Sequence, residues 1–392
     1  MEDMQGLFDY IDEYANFSFE EKPLGAVDSL IFSQLVYTDF GGIAEGSKKI
    51  FLCDAAMKFF AKHTDDEIEE LIGISVKSAK LLMACAKTRR FGWVQLCNYV
   101  NNVNDEIDKQ FAGINFILDS DNLMVAFRGT DVTVTGVKES AMLSYMFPVP
   151  AQIEALHYFQ ETAMLAKGDI YICGHSKGGN LAVFAAVNCS NSLKKRIAGV
   201  YEYDAPGFPK WFFDRYDYAQ IKDKIFLITP QTSIIGRMLY HNAKPIIVES
   251  IFSGIKQHQV SSWVIDKDSF KVLDKYDYSS DIIAEYVNTL IDYVGDDDLE
   301  LFFDTIEYVL TKMGIDDFYD FKSVDVKKAI GLIDSLATLD DNQKERFKAI
   351  LKKVFSDFTR EYFSGKARDY SERAKDYLEK FKMELPGKKE QE

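Results

Sequence analysis

Gly174-His175-Ser176-Lys177-Gly178, continued by Gly179 and Asn180, sets a serine between glycines two residues to either side. Glycine at those places lets a strand turn into a helix so sharply that a β-carbon would clash, and the turn holds the serine out for attack. A hydroxyl is a weak nucleophile until a base takes its proton and fixed donors receive the charge that builds on the substrate oxygen. The chemistry such a serine performs is acyl transfer. It calls for a histidine base, an acid to orient it, and two N–H groups for the oxyanion.

The flanks supply the strand and the helix. Asp169-Ile170-Tyr171-Ile172-Cys173 is a short apolar run suited to a buried parallel strand, and Leu181, Ala182, Phe184, Ala185 and Ala186 make a small-residue helix able to pack closely on a sheet. Ile114-Asn115-Phe116-Ile117-Leu118 and Leu123-Met124-Val125-Ala126-Phe127 flank the turn Asp119-Ser120-Asp121-Asn122 and predict a β-hairpin, whose second strand runs out into Arg128-Gly129-Thr130-Asp131. Beyond it the pattern alternates: a helix over 151–166, the nucleophile strand and helix, a strand over 199–203 and a strand over 225–228. Such alternation predicts a mostly parallel sheet wrapped by helices. The runs 245–249 and 262–266 read as the last strands.

Helices alone are expected at both ends. Val27, Leu30, Ile31 and Leu35 share one face of a helix after Pro23 and Gly25, and another helical stretch covers 65–71. After about residue 279 the pattern is entirely helical, with Phe347, Ile350, Leu351, Val354, Phe355 and Phe358 spaced as one buried stripe. Asp296-Asp297-Asp298 reads as a solvated helix start rather than a metal site. The charged stretch 368–384 reads as an exposed or partner-seeking helix, and the tail from Pro386 as frayed. The expected division is a helical region over 1–90 packed on the catalytic domain, an α/β core over 91–279, and a helical C-terminal domain over 280–392.

Ala126-Phe127-Arg128-Gly129-Thr130-Asp131 ahead of Gly174-His175-Ser176-Lys177-Gly178-Gly179-Asn180 resembles the class 3 lipase group of α/β-hydrolases, and more closely a bacterial lipase-like branch of it. Pro148-Val149-Pro150-Ala151-Gln152 and Tyr203-Asp204-Ala205-Pro206-Gly207-Phe208 extend the likeness, which covers about 93–265 with a fainter echo in 19–40 and none in the C-terminal helices. The fold expected is therefore α/β, of α/β-hydrolase type. The resemblance implies ester hydrolysis with Ser176 as nucleophile and, in chain order, an acid and then a base after it. His63 and His157 precede Ser176, and His175 lies inside the elbow. His258, in a polar segment between the two last expected strands, is the expected base, while His241 reads as a substrate-binding or structural residue. The amide of Lys177, and that of Thr130 with its hydroxyl, are the expected oxyanion donors.

In the acid the chain departs from the group. Class 3 lipases carry an aspartate just after the strand matching 225–228, where this chain has Pro230-Gln231-Thr232-Ser233. Asp204, after the preceding strand, is the alternative acid, and it reads equally as a turn aspartate before Pro206-Gly207. With no acid, the carbonyl oxygen of Gln231 could orient His258 without stabilising its charge. Lys177 stands where the group has an apolar residue; a cation at a helix N-terminus is mildly unfavourable and hints at a carboxylate partner. The segment between Thr133 and Pro150, with Met142, Leu143, Tyr145, Met146 and Phe147, occupies the place of a lipase lid, or else packs as a helix on the sheet.

Over 392 residues, 47% of them apolar, there is ample material for a core, and a net charge of -16 argues against nucleic acid and against electrostatic attachment to anionic lipid. The acidic start lacks a secretory n-region and h-region, and no apolar run approaches the roughly 20 residues that span a bilayer, so a cytoplasmic protein without an integral membrane segment is expected. Cys53, Cys85, Cys97, Cys173 and Cys189 lack Cys-x-x-Cys spacing and read as reduced core thiols. No cofactor or metal is expected. The expected partner is a small acyl ester or lipid substrate, with transient lipid contact and a protein partner or self-association through the C-terminal helices as further readings. A scaffold that has lost efficient chemistry, and a thioesterase or peptidase, are the competing readings of the same residues.

Overall fold

β1 (Ile50–Phe51), β2 (Gln95–Asn104), β3 (Lys109–Ile117), β4 (Leu123–Phe127), β5 (Ile170–His175), β6 (Ile197–Tyr203), β7 (Ile225–Pro230) and β8 (Ile246–Val248) stand side by side in chain order in one sheet. β9 (Ile265–Asp266) and β10 (Ser269–Phe270) form a separate two-stranded sheet, and β11 (Val272–Leu273) closes the main sheet beside β8 as its ninth strand. The computed structural model describes residues 5–69, 74–104, 109–130, 142–252, 254–294, 296–313, 326–337 and 339–353. β1 to β4 pair antiparallel, β4 to β8 pair parallel, and β11 returns antiparallel to β8.

The parallel centre follows from the crossovers. Helices α1 (Gln5–Tyr14), α2 (Ala26–Leu35), α3 (Leu52–Lys62), α4 (Asp65–Glu69), α5 (Ile74–Ala86) and α6 (Arg89–Gly92) precede the second strand. α7 (Pro150–Thr162) carries the chain from β4 to β5, and α8 (Lys177–Asn188) and α9 (Asn191–Arg196) carry it from β5 to β6. α10 (Tyr216–Ala219) lies between β6 and β7, and after β11 the described chain is helical: α11 (Tyr278–Val294), α12 (Asp296–Lys312), α13 (Val326–Asp334) and α14 (Asp341–Lys353). The helices expected over 151–166 and 65–71 and the start at Asp296 fall on α7, α4 and α12.

Alternation along each strand separates two apolar layers. Leu123, Val125 and Phe127 of β4 and Ile170 and Ile172 of β5 face Ala155 and Phe159 of α7 and Leu181 and Ala185 of α8. Met124, Ala126 and Cys173 face the other way, onto Leu30, Ile31 and Leu35 of α2. A third cluster joins Met142, Leu143, Val149 and Leu239 to Leu299, Phe302, Ala329, Ile333 and Phe347 of the C-terminal helices. The helical tail therefore rests on the segment before α7.

One buried ion pair fixes the N-terminal helices. Asp28, in the first turn of α2, accepts the Gly25 N–H at 2.9 Å and both Nε and Nη2 of Arg90, at 2.8 and 2.6 Å. Nη1 of Arg90 continues to the carbonyls of Ser18 and Lys22. The Tyr203 hydroxyl donates to Ala26 at 2.6 Å and ties the end of β6 to the start of α2.

The run 245–249 falls on β8, and the sequence reading errs only at the last run. Of 262–266 only Ile265–Asp266 is a strand, and it lies outside the main sheet, because Val260–Ser262 winds into a 3₁₀ turn. β11 is the true edge. Within the C-terminal stripe Phe347 is buried, whereas Val354, Phe355, Phe358, the stretch 368–384 and the tail from Pro386 lie outside the described residues.

Candidate active site

Ser176 sits between β5 and α8 with φ 56° and ψ -134°, a backbone conformation that costs energy for a residue with a side chain. It persists because neighbours over-determine it. The Ser176 N–H donates to the Tyr203 carbonyl at 2.9 Å and the Gly179 N–H to the Ser176 carbonyl at 2.9 Å, while a β-carbon on Gly174 would collide with the Gly178 backbone. Asn180, one turn into α8, gives its amide N–H groups to Pro206 and Gly207 at 3.1 and 2.9 Å and accepts from Gln152 of α7 at 2.7 Å. Two helices and the loop after β6 are thereby braced around the elbow.

Gly129 brings the end of the β4 strand against this turn. A β-carbon there would come to 3.0 Å from Cβ of Ser176 and 2.6 Å from the Tyr37 oxygen. Glycine is thus required by close approach, and Thr130 follows at the elbow's edge, buried at 4% exposure. Lys177 is the first residue of α8 and directly follows the serine. Its ammonium donates to the carbonyl of Gln110 on β3 at 2.9 Å.

Asp204 and His258 meet. Asp204 follows β6 with φ 45°, its N–H donating to Ile228 at 2.9 Å, and its Oδ2 accepts from His258 Nδ1 at 2.7 Å. The other oxygen accepts the Ser233 hydroxyl and the Gly236 N–H. A carboxylate can only accept, so Nδ1 of His258 carries the hydrogen and Nε2 is the ring nitrogen left for the serine's proton. His258 ends the 3₁₀ turn Gly254–His258, which Trp263 anchors by donating Nε1–H to the Gln257 carbonyl at 2.8 Å and Thr232 by donating its N–H to Oε1 of Gln257 at 2.7 Å. The ring of His258 lies 4.4 Å from that of His175, the residue before the serine. Ser176 Oγ and His258 are not joined by a hydrogen bond in this state, and both are buried, at 3% and 5% exposure.

The remaining expected residues fall elsewhere. Gln231 exchanges two hydrogen bonds with the Ser250 backbone, at 2.8 and 3.2 Å, and does not orient His258. His241 faces Glu202, Nδ1 to Oε1 3.8 Å. Residues 131–141 of the expected lid lie outside the described residues; Met142 and Leu143 are buried in the cluster with the C-terminal helices. Sequence reasoning missed Ser233 and Gly236 as partners of Asp204, and Gln152 and Asn180 as braces. The signal for Ser233 was present, since it stands in the very stretch where an acid was expected. Burial, and then the neighbouring His258, hold the His175 imidazole well below its ordinary range. Among the described residues no group of three or more His, Cys, Asp or Glu side chains could hold a metal ion, and no helix is long and apolar enough to cross a membrane.

Parallel strands wrapped by helices, with a serine on the tight turn after β5, define a lipase-like α/β-hydrolase. The profile of the Mbeg1-like family matches residues 85–307, more than half of the chain, and the chain belongs to that family. Solved structures similar to parts of it are Lip2 lipase from Yarrowia lipolytica, the Rhizomucor miehei lipase propeptide complex, and a lipase from Rhizopus microsporus var. chinensis. They are 12%, 11% and 13% identical, with TM-scores of 0.30, 0.32 and 0.31. The matches cover 40%, 56% and 62% of this chain and 66%, 67% and 79% of those chains. No curated protein matches.

Proposed function

We propose that the protein hydrolyses carboxylic esters, with a lipid or other acyl ester as substrate, through Ser176, His258 and Asp204. The observation that carries this reading is the 2.7 Å contact of His258 Nδ1 with Asp204 beside a serine held in strained backbone. Ser176 Oγ attacks the ester carbonyl as its proton passes to Nε2 of His258. The amides of Lys177 and Thr130 receive the tetrahedral oxyanion, and Asp204 stabilises the imidazolium. The alkoxide departs with that proton and leaves an acyl-Ser176. Water, giving its proton to the same nitrogen, then releases the carboxylic acid and restores the serine. The core over 91–279 is the unit we assign to this chemistry, with the described helices on either side of it in the chain supporting it.

A second reading, a hydrolase-fold scaffold of little activity, is favoured by one observation: Ser176 is buried and not hydrogen-bonded to His258. Labelling the folded protein with a fluorophosphonate separates the two. Stoichiometric labelling that disappears in Ser176→Ala supports the hydrolase; an unlabelled Ser176 supports the scaffold. Esters of graded acyl length, with matched amides and thioesters, then separate an esterase from a peptidase or thioesterase.

A further inference from the structure

Three segments distant in sequence meet here: the residues just past β4 at Gly129, the nucleophile turn at His175, and the turn that ends in His258. Tyr37, two residues past α2, stands between the first two. The Gly129 N–H donates to the Tyr37 oxygen at 3.1 Å, the Tyr37 hydroxyl lies 3.3 Å from Nδ1 of His175, and Nε2 of His175 lies 2.8 Å from the carbonyl oxygen of His258. Hydrogen-bond chemistry sets the direction of every link. A carbonyl only accepts, so Nε2 of His175 carries the hydrogen; Nδ1 then holds the lone pair, and Tyr37 must donate to it. The phenol oxygen is left to accept from Gly129. Tyr37 and His175 are both buried, and no water is needed to complete the chain.

We infer that Tyr37 and His175 are positioning residues that set the oxyanion strand and the base loop relative to Ser176. The inference rests on the reading of Ser176 and His258 as nucleophile and base. Asp204 holds His258 at one atom, Nδ1, and a ring held at one atom can pivot about it. The bond from His175 fixes the backbone of the same residue and supplies the second point. Through Tyr37 the same histidine registers Gly129, hence the adjoining Thr130 amide. Donors and base are thereby aligned to one turn, and misplacement of reacting groups by about 1 Å costs on the order of a hundredfold in rate.

The test compares Tyr37→Phe, His175→Gln, His175→Leu and the Tyr37→Phe/His175→Leu double variant with the parent protein, each checked for folding by its melting curve. Hydrolysis of p-nitrophenyl butyrate gives kcat and KM. A ¹⁵N-histidine spectrum gives the low-field Nδ1–H of His258, which reports its orientation without any turnover. His175→Leu keeps bulk but has no donor and should lower kcat about a hundredfold with KM within about twofold. His175→Gln can place an N–H near the lost Nε2 and should return to within about tenfold of the parent. Tyr37→Phe should fall about tenfold, and the double variant should be no slower than about twofold below His175→Leu, because linked sites are not additive. A His175→Leu or Tyr37→Phe protein at parental kcat, or a His175→Gln no better than His175→Leu, overturns the inference. Should His175→Leu not fold, Tyr37→Phe decides alone. If the parent neither turns over nor labels, the hydrolase reading has failed and the spectrum decides this one: loss of the His258 signal in Tyr37→Phe with retention in His175→Gln supports it, and an unchanged signal in both overturns it.

Discussion

At the scale of single residues, Asp204 is where sequence and structure divide most sharply. A turn aspartate and a catalytic one look alike in a sequence. What distinguishes this one, Oδ2 against His258 Nδ1, joins loops 54 residues apart. Asp204→Asn keeps the turn and the shape but removes the charge, so turnover should fall about 10⁴-fold with KM little changed. A residue serving only the turn would leave turnover within about tenfold, and steady-state kinetics beside a melting curve reads the difference. His258→Ala should abolish labelling, while His241→Ala, whose ring faces Glu202 and not Asp204, should retain it. The elbow was legible because the glycines that mark it lie within three residues of Ser176. Tyr37 and Ser233 were not, since their roles come from atoms brought near by folding. His175 adds a pH dependence whose sign follows from its burial. Its folded pKa lies well below the 6.5 of the free side chain, so below pH 6.5 the unfolded chain takes up a proton that the folded one refuses. Stability is full above that pH and declines beneath it, by up to about 1.4 kcal/mol per pH unit from this group. Urea unfolding between pH 7.5 and 5 should therefore fall less steeply for His175→Gln than for the parent.

Elements were legible in proportion to length and burial. β4 to β7 are apolar runs that face a helix on each side, and such runs declare themselves without periodicity. β1 and β11, two residues each, are too short to carry a pattern, and Trp263 misled because its buried ring, which anchors Gln257, reads as strand character. The N-terminal helices owe their place to a feature that no periodicity announces, the ion pair of Asp28 and Arg90, both fully buried. Removing one member of such a pair leaves an uncompensated charge in the core. Arg90→Met should therefore cost about 3–5 kcal/mol, whereas Asp28→Asn/Arg90→Met should recover part of that loss. Chemical unfolding of the two variants measures it. A single variant as stable as the parent would mean that water reaches the pair.

Across the whole molecule, the first of the C-terminal helices reaches the loop that holds the Asp204 carboxylate. α11 and Asp277, the residue just before it, touch the loop after β7: the Asp277 N–H donates to the Gln231 carbonyl, the Ser280 hydroxyl of α11 to the Ser233 carbonyl at 2.8 Å, and the Thr232 hydroxyl to Asp277 at 2.9 Å. Asn288, two turns further, accepts the Leu239 N–H at 2.8 Å and donates to the Arg237 carbonyl at 3.2 Å. That loop supplies both Ser233 and Gly236 to Asp204. The chain of contacts therefore runs from a helix with no part in the proposed chemistry to the carboxylate that would support the base. Asn288→Ala cuts the furthest link. It leaves a partly buried N–H and a carbonyl without their partners, a cost of about 1–3 kcal/mol each, and frees the loop to shift beneath Asp204. The expected result is a lower melting temperature together with a several-fold loss in fluorophosphonate labelling rate, while Asn288→Asp, which still accepts from Leu239, falls between. If labelling stays at the parental rate while stability drops, the helices brace the fold without bearing on the acid, and the fixing of Asp204 is complete within the α/β core.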